Sequence, residues 1–425
     1  MRLFIFECKK YLKKKMLLLT ILLTIILSGV LYFYNSIVAQ NLLGGIVNQL
    51  EHNASVLLTY SKEFEILKET ESKNENYEAV EEADRMIHHY EESSKEYLAT
   101  KNAYETKDWS FLYQRDLEFL STLMYEPEFN KYFIEEQPVS NFTIRANFEE
   151  RTLLKDTNQT PMLQNDPNDL FLATVYDEFT GSALEQWNTM TKRFGTEGFT
   201  YIYQMTQYLS IPITVLVACF LFGSNLSSEM TKGSRQLLLT RVLPIHPVRL
   251  FFSKYTSGLF FSTMFTIIIQ LFPLFLSLFQ GGVGSLSYPI LMYGVPNLDT
   301  KTLNEYEDSF SFITLDHYLI KALVLTIFVT FFLYTFYYLI NLLIRNPSLS
   351  TIITATLSFL GVYAEPRTYN PFTYFDIHKI INGETALLSF NENIHFSNGI
   401  LILGFGGILI LLITYSRFRI TNNFF

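Results

Sequence analysis

Six apolar runs with almost no charged side chains leave few folds open to this chain. The first, Met16 to Asn35, holds 20 consecutive residues without Asp, Glu, Lys or Arg. As a helix it is long enough to cross a hydrocarbon core of about 30 Å. Similar runs lie at about 208–224, 255–279, 318–344, 349–363 and 399–415. In lipid each backbone polar group must be satisfied within its own segment, so such runs read as spanning helices. The expected fold class is all-α: a polytopic membrane protein with six transmembrane helices and a large helical extracellular domain between the first and second spans.

Charge supports this and sets an orientation. Only 17% of the residues are charged, against roughly 25% in soluble domains. Residues 51–200 carry 30 acidic and 14 basic side chains, and the remainder 11 acidic and 18 basic. An acidic pole and a basic pole suit a membrane protein and do not suggest a nucleic-acid surface. Lysines 9, 10, 13, 14 and 15 place the N-terminus in the cytoplasm by the positive-inside rule. Residues 36–200 then lie outside. The basic segment 225–254 and the Arg345-Asn346-Pro347 turn lie inside, segment 364–398 lies outside, and Arg417 and Arg419 hold the C-terminus inside. A cleaved signal peptide shares the basic-then-apolar order, but the apolar part is long and no small-x-small site follows directly.

Residues 1–15 interleave Leu3, Phe4, Phe6 and Tyr11 with lysines, Lys9, Lys10 and Lys13 among them. This pattern predicts a short amphipathic helix on an anionic membrane surface, in contact with lipid. The block 36–200 reads as helical from Leu50 to Asn130. Val56, Leu57, Tyr60, Phe64 and Leu67 follow 3, 4 spacing, as do Tyr77, Val80, Ala83, Ile87 and Tyr90. Asp108 is a candidate helix cap. Helix is expected again from about Asp169 into the membrane near Tyr201, and Pro212 is expected to kink the second span. The block is either a helical hairpin packed on itself or an outer vestibule.

Catalytic signatures are missing from the sequence: no G-x-x-x-x-G-K-[ST], no H-E-x-x-H and no G-x-S-x-G. Cys8 and Cys219 are too far apart in sequence to suggest a metal cluster. The chain is therefore not expected to be an enzyme by itself, nor to bind a cofactor or metal. Spans without ionisable residues away from their ends disfavour an ion-coupled carrier, which leaves an energy source on another chain.

The stretch E-M-T-K-G-S-R-Q-L-L-L-T-R-V-L-P-I-H-P-V-R-L-F-F-S-K, from Glu229 to Lys254, resembles the first cytoplasmic loop of type-2 ABC exporter permeases from bacteria. The matching residues are Glu229, Gly233, Ser234, Leu237, Leu238, Pro244, Ile245, Arg249 and Lys254. Pro247 departs from the pattern, where a polar residue is common. Leu237 and Leu238 beside Arg235 suit an amphipathic coupling helix that docks into an ATPase cleft; the plainer reading is a basic inner loop. The N-terminal F-E-C-K-K-Y-L-K-K-K resembles that family's elbow helix. Tyr369-Asn370-Pro371-Phe372-Thr373-Tyr374-Phe375 resembles its segment after the fifth span. The block 41–200 exceeds the family's usual first outer loop.

The resemblance implies two cytoplasmic ABC ATPase subunits holding ATP and Mg, a second permease subunit, identical or homologous, and outward movement of a peptide, antimicrobial, lipid or other amphipathic cargo. Ser350, Thr351, Thr354 and Ser358 on the fifth span, with Ser210 and Thr214 on the second, are candidate pathway or interface positions; close helix packing is the alternative. Three rivals stay open. One is a non-transporting sensor or scaffold whose outer domain binds a ligand or cell-wall partner. The others are an ion-coupled carrier and a mechanotransmitting ABC subunit, a class with typically four spans.

Overall fold

A computed structural model describes residues 2–13, 15–125, 131–165, 171–225, 246–298 and 300–423. The chain is mostly helical. Four helices are long and apolar enough to cross a membrane, or five if one bent pair counts as a single span. This is consistent with a multi-pass membrane protein. The chain divides into two compact units, residues 1–33 with 197–425, and residues 34–196.

In the first unit α1 is Arg2–Leu12, and α2 begins at Lys15 and runs unbroken to Lys73. No helix break falls at residue 35, where the first span was expected to end. Next come α7 (Gly198–Thr206) and α8 (Ser210–Phe222). They meet at 82°, where one span at 208–224 was expected. Pro212 explains the break. It stands at the third position of α8, where its missing N–H has no intrahelical partner to lose. Its ring would meet the Tyr208 carbonyl if the helix continued backwards. Ser210 Oγ donates to the Met205 carbonyl at 2.7 Å, satisfying one group freed by the bend.

The bundle continues with α9 (Pro247–Ser277), α10 (Leu315–Ile344), α11 (Pro347–Tyr363) and α14 (Phe396–Asn423). Gly404 and Gly407 of α14 leave room for Phe328 and Phe331 of α10, so this pair packs closely. Arg345 ends α10 in the left-handed conformation, and Asn346 caps α11 through the Leu349 N–H. That gives the tight turn its sequence implies. Between α9 and α10 lies an antiparallel pair, β3 (Pro289–Tyr293) and β4 (Phe310–Thr314), in a register that pairs Leu291 with Phe312. The helical expectation for the whole chain missed it.

The unit 34–196 holds the rest of α2, α3 (Tyr77–Thr106), α4 (Trp109–Tyr125), α5 (Asn141–Asp156) and α6 (Gly181–Met190), with a short hairpin of β1 (Phe133–Ile134) and β2 (Gln137–Pro138). Asp108 caps α4 through the Phe111 N–H at 3.2 Å, as its position predicts. No helix runs continuously from about 169 to 201: residues 171–180 and 191–197 are not helical. Leu120, Leu123, Ile144, Phe171, Phe179 and Trp187 form a core. Beside it Glu150, 1% exposed, receives Arg193 at 2.7 Å and Arg151 at 3.1 Å. Burial alone would raise the Glu150 pKa, but the two guanidinium groups outweigh it and hold the carboxyl below its ordinary range.

Candidate coupling site at the junction of α1, α8 and α9

Two residues of α1, four positions apart, turn inward together. Glu7 and Tyr11 are buried, while Phe6, 62% exposed, and Leu12 point away. Lys9 and Lys13 are exposed and Lys10 is half-buried. Of the residues expected on the surface of this helix, Phe6, Lys9 and Lys13 are exposed and Lys10 is not fully so.

Lys254, in the second turn of α9, reaches Glu7 Oε1 with Nζ at 2.8 Å, and both side chains are at most 3% exposed. The resemblance places Lys254 among the residues of the coupling loop. The structure instead buries Lys254 in a contact that fastens α9 to α1. Arg249, one turn earlier, is exposed. His246 and Pro247 start the helix, with His246 accepting from the Val248 N–H at 3.4 Å.

Tyr11 donates its hydroxyl to the Phe222 carbonyl at 2.5 Å. Phe222 is the last residue of α8, so this bond satisfies a carbonyl that the helix leaves open. The adjoining Gly223 carbonyl accepts from Asn341 Nδ2 at 3.3 Å, and Asn341 Oδ1 accepts from Ser350 Oγ at 3.3 Å. The end of α8 is thus held by α1 on one side and by α10 and α11 on the other. Gly258 makes the crowding possible: a Cβ there would strike the Tyr334 hydroxyl and come within 2.8 Å of the Phe222 carbonyl. Nearby, the Tyr255 hydroxyl bonds Thr335 Oγ1 at 2.6 Å. The rings of Tyr11, Phe222 and Phe261 lie 5.2–5.6 Å apart by centroid.

Phe222 and Gly223 come just before residues 226–245, and His246 and Pro247 just after. Glu229, Gly233, Ser234, Arg235, Leu237, Leu238, Pro244 and Ile245 lie outside the described residues. What the structure gives is the two flanks between which they run: Phe222 and Gly223, whose carbonyls are held by Tyr11 and Asn341, and α9, whose exposed first residues lead to the buried Lys254–Glu7 pair eight residues past His246.

Of the candidate hydroxyl residues on α8 and α11, Ser210, Thr214, Ser350, Thr351 and Thr354 hydrogen-bond within the chain, and Ser358 Oγ is buried with no hydrogen-bond partner among the described residues. Ser350, Thr354 and Ser358 repeat every four residues and are 0–3% exposed, on the side of α11 that packs on α8 and α10. Thr351, Thr354 and Thr214 donate to carbonyls four residues back in their own helices.

A second buried polar chain lies at the α7–α8 bend. Thr206 Oγ1 meets the Tyr318 hydroxyl at 2.7 Å, which meets His378 Nδ1 at 3.1 Å; His378 Nε2 lies 3.3 Å from Asn382 Nδ2. Burial, helped by the Lys379 charge, lowers the His378 pKa to about 4. His378 belongs to a short helix, α12 (Ile377–Ile381), that follows the 3-10 turn Pro371–Phe375. In that turn Phe372 packs on Phe332 and Phe336, and the Tyr374 hydroxyl donates to the Thr368 carbonyl.

Sequence reasoning missed Glu7, Tyr11, Gly258, Asn341 and His378. Two signals were available. Glu7 is a lone acid among five lysines, and Asn341 is a lone amide in an apolar run. No three His, Cys, Asp or Glu side chains gather as a metal site among the described residues. No family model, no curated protein and no solved structure matches the chain.

Proposed function

We propose that this chain is the membrane-spanning permease subunit of an ATP-driven ABC exporter, working with a second permease subunit and two cytoplasmic ATPase subunits that hold ATP and Mg. The observation that carries this reading is that both helices flanking segment 226–245 are fastened by buried polar contacts, α8 at Phe222 and Gly223 and α9 at Lys254. An ATPase pulling on that segment would move Phe222 and the first turns of α9 directly. Through Tyr11, Lys254 and Asn341 the displacement would pass to α1, α10 and α11. The charge bias supports cytoplasmic termini and an extracellular 36–200. Six crossings follow if α7–α8 counts as one and α11 as another. The 17 residues of α11 stand at the short end of spanning lengths, roughly 17–25 residues.

A sensor or scaffold is the second reading. It is favoured by the separate core of unit 34–196 and by an open groove of about 600 Å3 there, lined by Val38, Leu42, Leu184, Glu185 and Lys192 among others. Purification of the tagged chain from its native host in mild detergent separates the two. The exporter reading expects a stoichiometric nucleotide-binding subunit that is lost when Glu229→Ala and Arg235→Ala are combined. A chain that purifies alone, without ATPase activity in the eluate, sinks it and favours the sensor.

A further inference from the structure

Walled by α7, the start of α8, α9 and α10, a cavity of about 440 Å3 opens in the helical bundle. Pockets for small ligands run from about 300 to 1,000 Å3. Its walls are aliphatic and aromatic: Phe199, Ile202, Ile267, Leu271, Leu323 and Ile327 supply much of them. The two threonines that face it add little polarity. Thr326 donates its hydroxyl to the Ala322 carbonyl at 2.7 Å, and Thr206 is engaged with Tyr203 and Tyr318.

Two polar groups are different. Asp316 is the sole charged residue among those lining the cavity. It stands in the first turn of α10 with a side chain 45% exposed. Thr314 donates to its Oδ1, and His317 Nδ1 lies 3.7 Å from the same oxygen. Gln270 is half-buried in the wall, and its amide has no hydrogen-bond partner among the described residues. Both side chains offer oxygen acceptors. From Asp316 to Ile327 the wall follows α10 for eleven residues, or about 16 Å. The cavity is therefore elongated and apolar, with a carboxylate at one end.

We infer that this cavity binds a cationic single-chain amphiphile, a primary alkylammonium whose tail lies along α10 and whose head sits at Asp316. Charge complementarity selects the head. A carboxylate at the mouth of an apolar site attracts a cation and repels the headgroup of a fatty acid or a sulfate ester. The inference rests on the membrane reading of the helices and not on the exporter reading.

The test uses the purified full-length chain in an uncharged detergent with a long-chain alkylamine carrying a diazirine on its tail. After irradiation the adducts are mapped by mass spectrometry. They are expected on residues 267–271 and 319–327, and excess dodecylamine should suppress them while dodecanoate does not. Asp316→Asn should weaken competition by the amine about two- to fivefold, as for an exposed charge pair, and raise that by dodecanoate. Leu323→Trp, which fills the cavity, should cut labelling about tenfold; Leu271→Trp does the same from the opposite wall if the first variant fails to fold. Adducts spread evenly over the exposed apolar faces of α2 and α14, or equal competition by amine and carboxylate, overturn the inference. The assay needs no ATPase. If no nucleotide-binding subunit co-purifies from the native host while the amine binds here, only the exporter reading fails; if the subunit co-purifies but the amine does not bind here, only this site fails.

Discussion

A buried charge that loses its partner is among the most damaging single changes a fold can suffer, and Lys254 provides the case. Lys254→Ala leaves Glu7 buried without a cation and should destabilise the chain by about 3–5 kcal/mol. The double variant Glu7→Gln with Lys254→Met removes both charges and should lie closer to the parent than either single change. Thermal unfolding in detergent of the parent, Lys254→Ala, Glu7→Gln, Lys254→Met and the double variant checks this; equal losses in the single and double variants would refute the pairing. His378 gives a pH dependence with a fixed sign. Its folded pKa of about 4 lies below the ordinary 6.5, so the unfolded chain takes up the proton first as pH falls. Stability contributed by the neutral ring is present above the ordinary value and declines between the two, on the order of 3 kcal/mol in all. His378→Gln keeps a hydrogen-bonding group near Tyr318 and should remove that part of the decline from about pH 7 to about pH 5. The basic character of Lys254 was plain in the sequence. Its partner was not, because 247 residues separate the two and no local pattern reports a contact of that span.

Helices were legible where hydropathy was monotonous and obscure where geometry depended on one backbone clash. The runs at 318–344 and 399–415 recur as α10 and α14 with modest extensions. The α7–α8 bend was hidden because residues 198–222 are apolar on both sides of it. Pro212 marks a kink in the sequence, but the turn it forces lies upstream, at Gln207–Leu209, where its ring would meet a carbonyl. The β3–β4 pair was also missed, since sixteen residues part its strands and no short hairpin turn marks it. Two substitutions test packing at this scale. Gly258→Ala should cost about 1–3 kcal/mol by overpacking against Tyr334 and Phe222. Lys107 ends α3 in the left-handed conformation, with φ of 59°. Lys107→Gly should stabilise the chain by roughly 0.5–1 kcal/mol, read as a rise in unfolding temperature.

For the whole molecule, the sequence exposed a membrane pattern and an asymmetry of charge, because both are sums over many residues. It did not expose the junction of α1, α8 and α9, which depends on single side chains meeting across the bundle. The proposed orientation makes a direct prediction. In a background with Cys8→Ser and Cys219→Ala, Glu75→Cys should react with an impermeant maleimide added to intact cells. Asn346→Cys should react only after permeabilisation. Reversed labelling would overturn the topology and, with it, an ATPase docked on 226–245.

The contacts of α1 also constrain how the protein is made. Glu7 and Tyr11 leave the ribosome before their partners, which are 247 and 211 residues further along the chain. At translation rates of roughly 5–20 residues per second, Glu7 waits about 10–50 s for Lys254 to be synthesised. During that interval its acid has no buried cation to meet, and the lysines around it favour an anionic bilayer surface. The amphipathic character of the first fifteen residues thus gives the nascent chain a place to wait. Closing this end of the bundle therefore includes the capture of a helix made long before its partners.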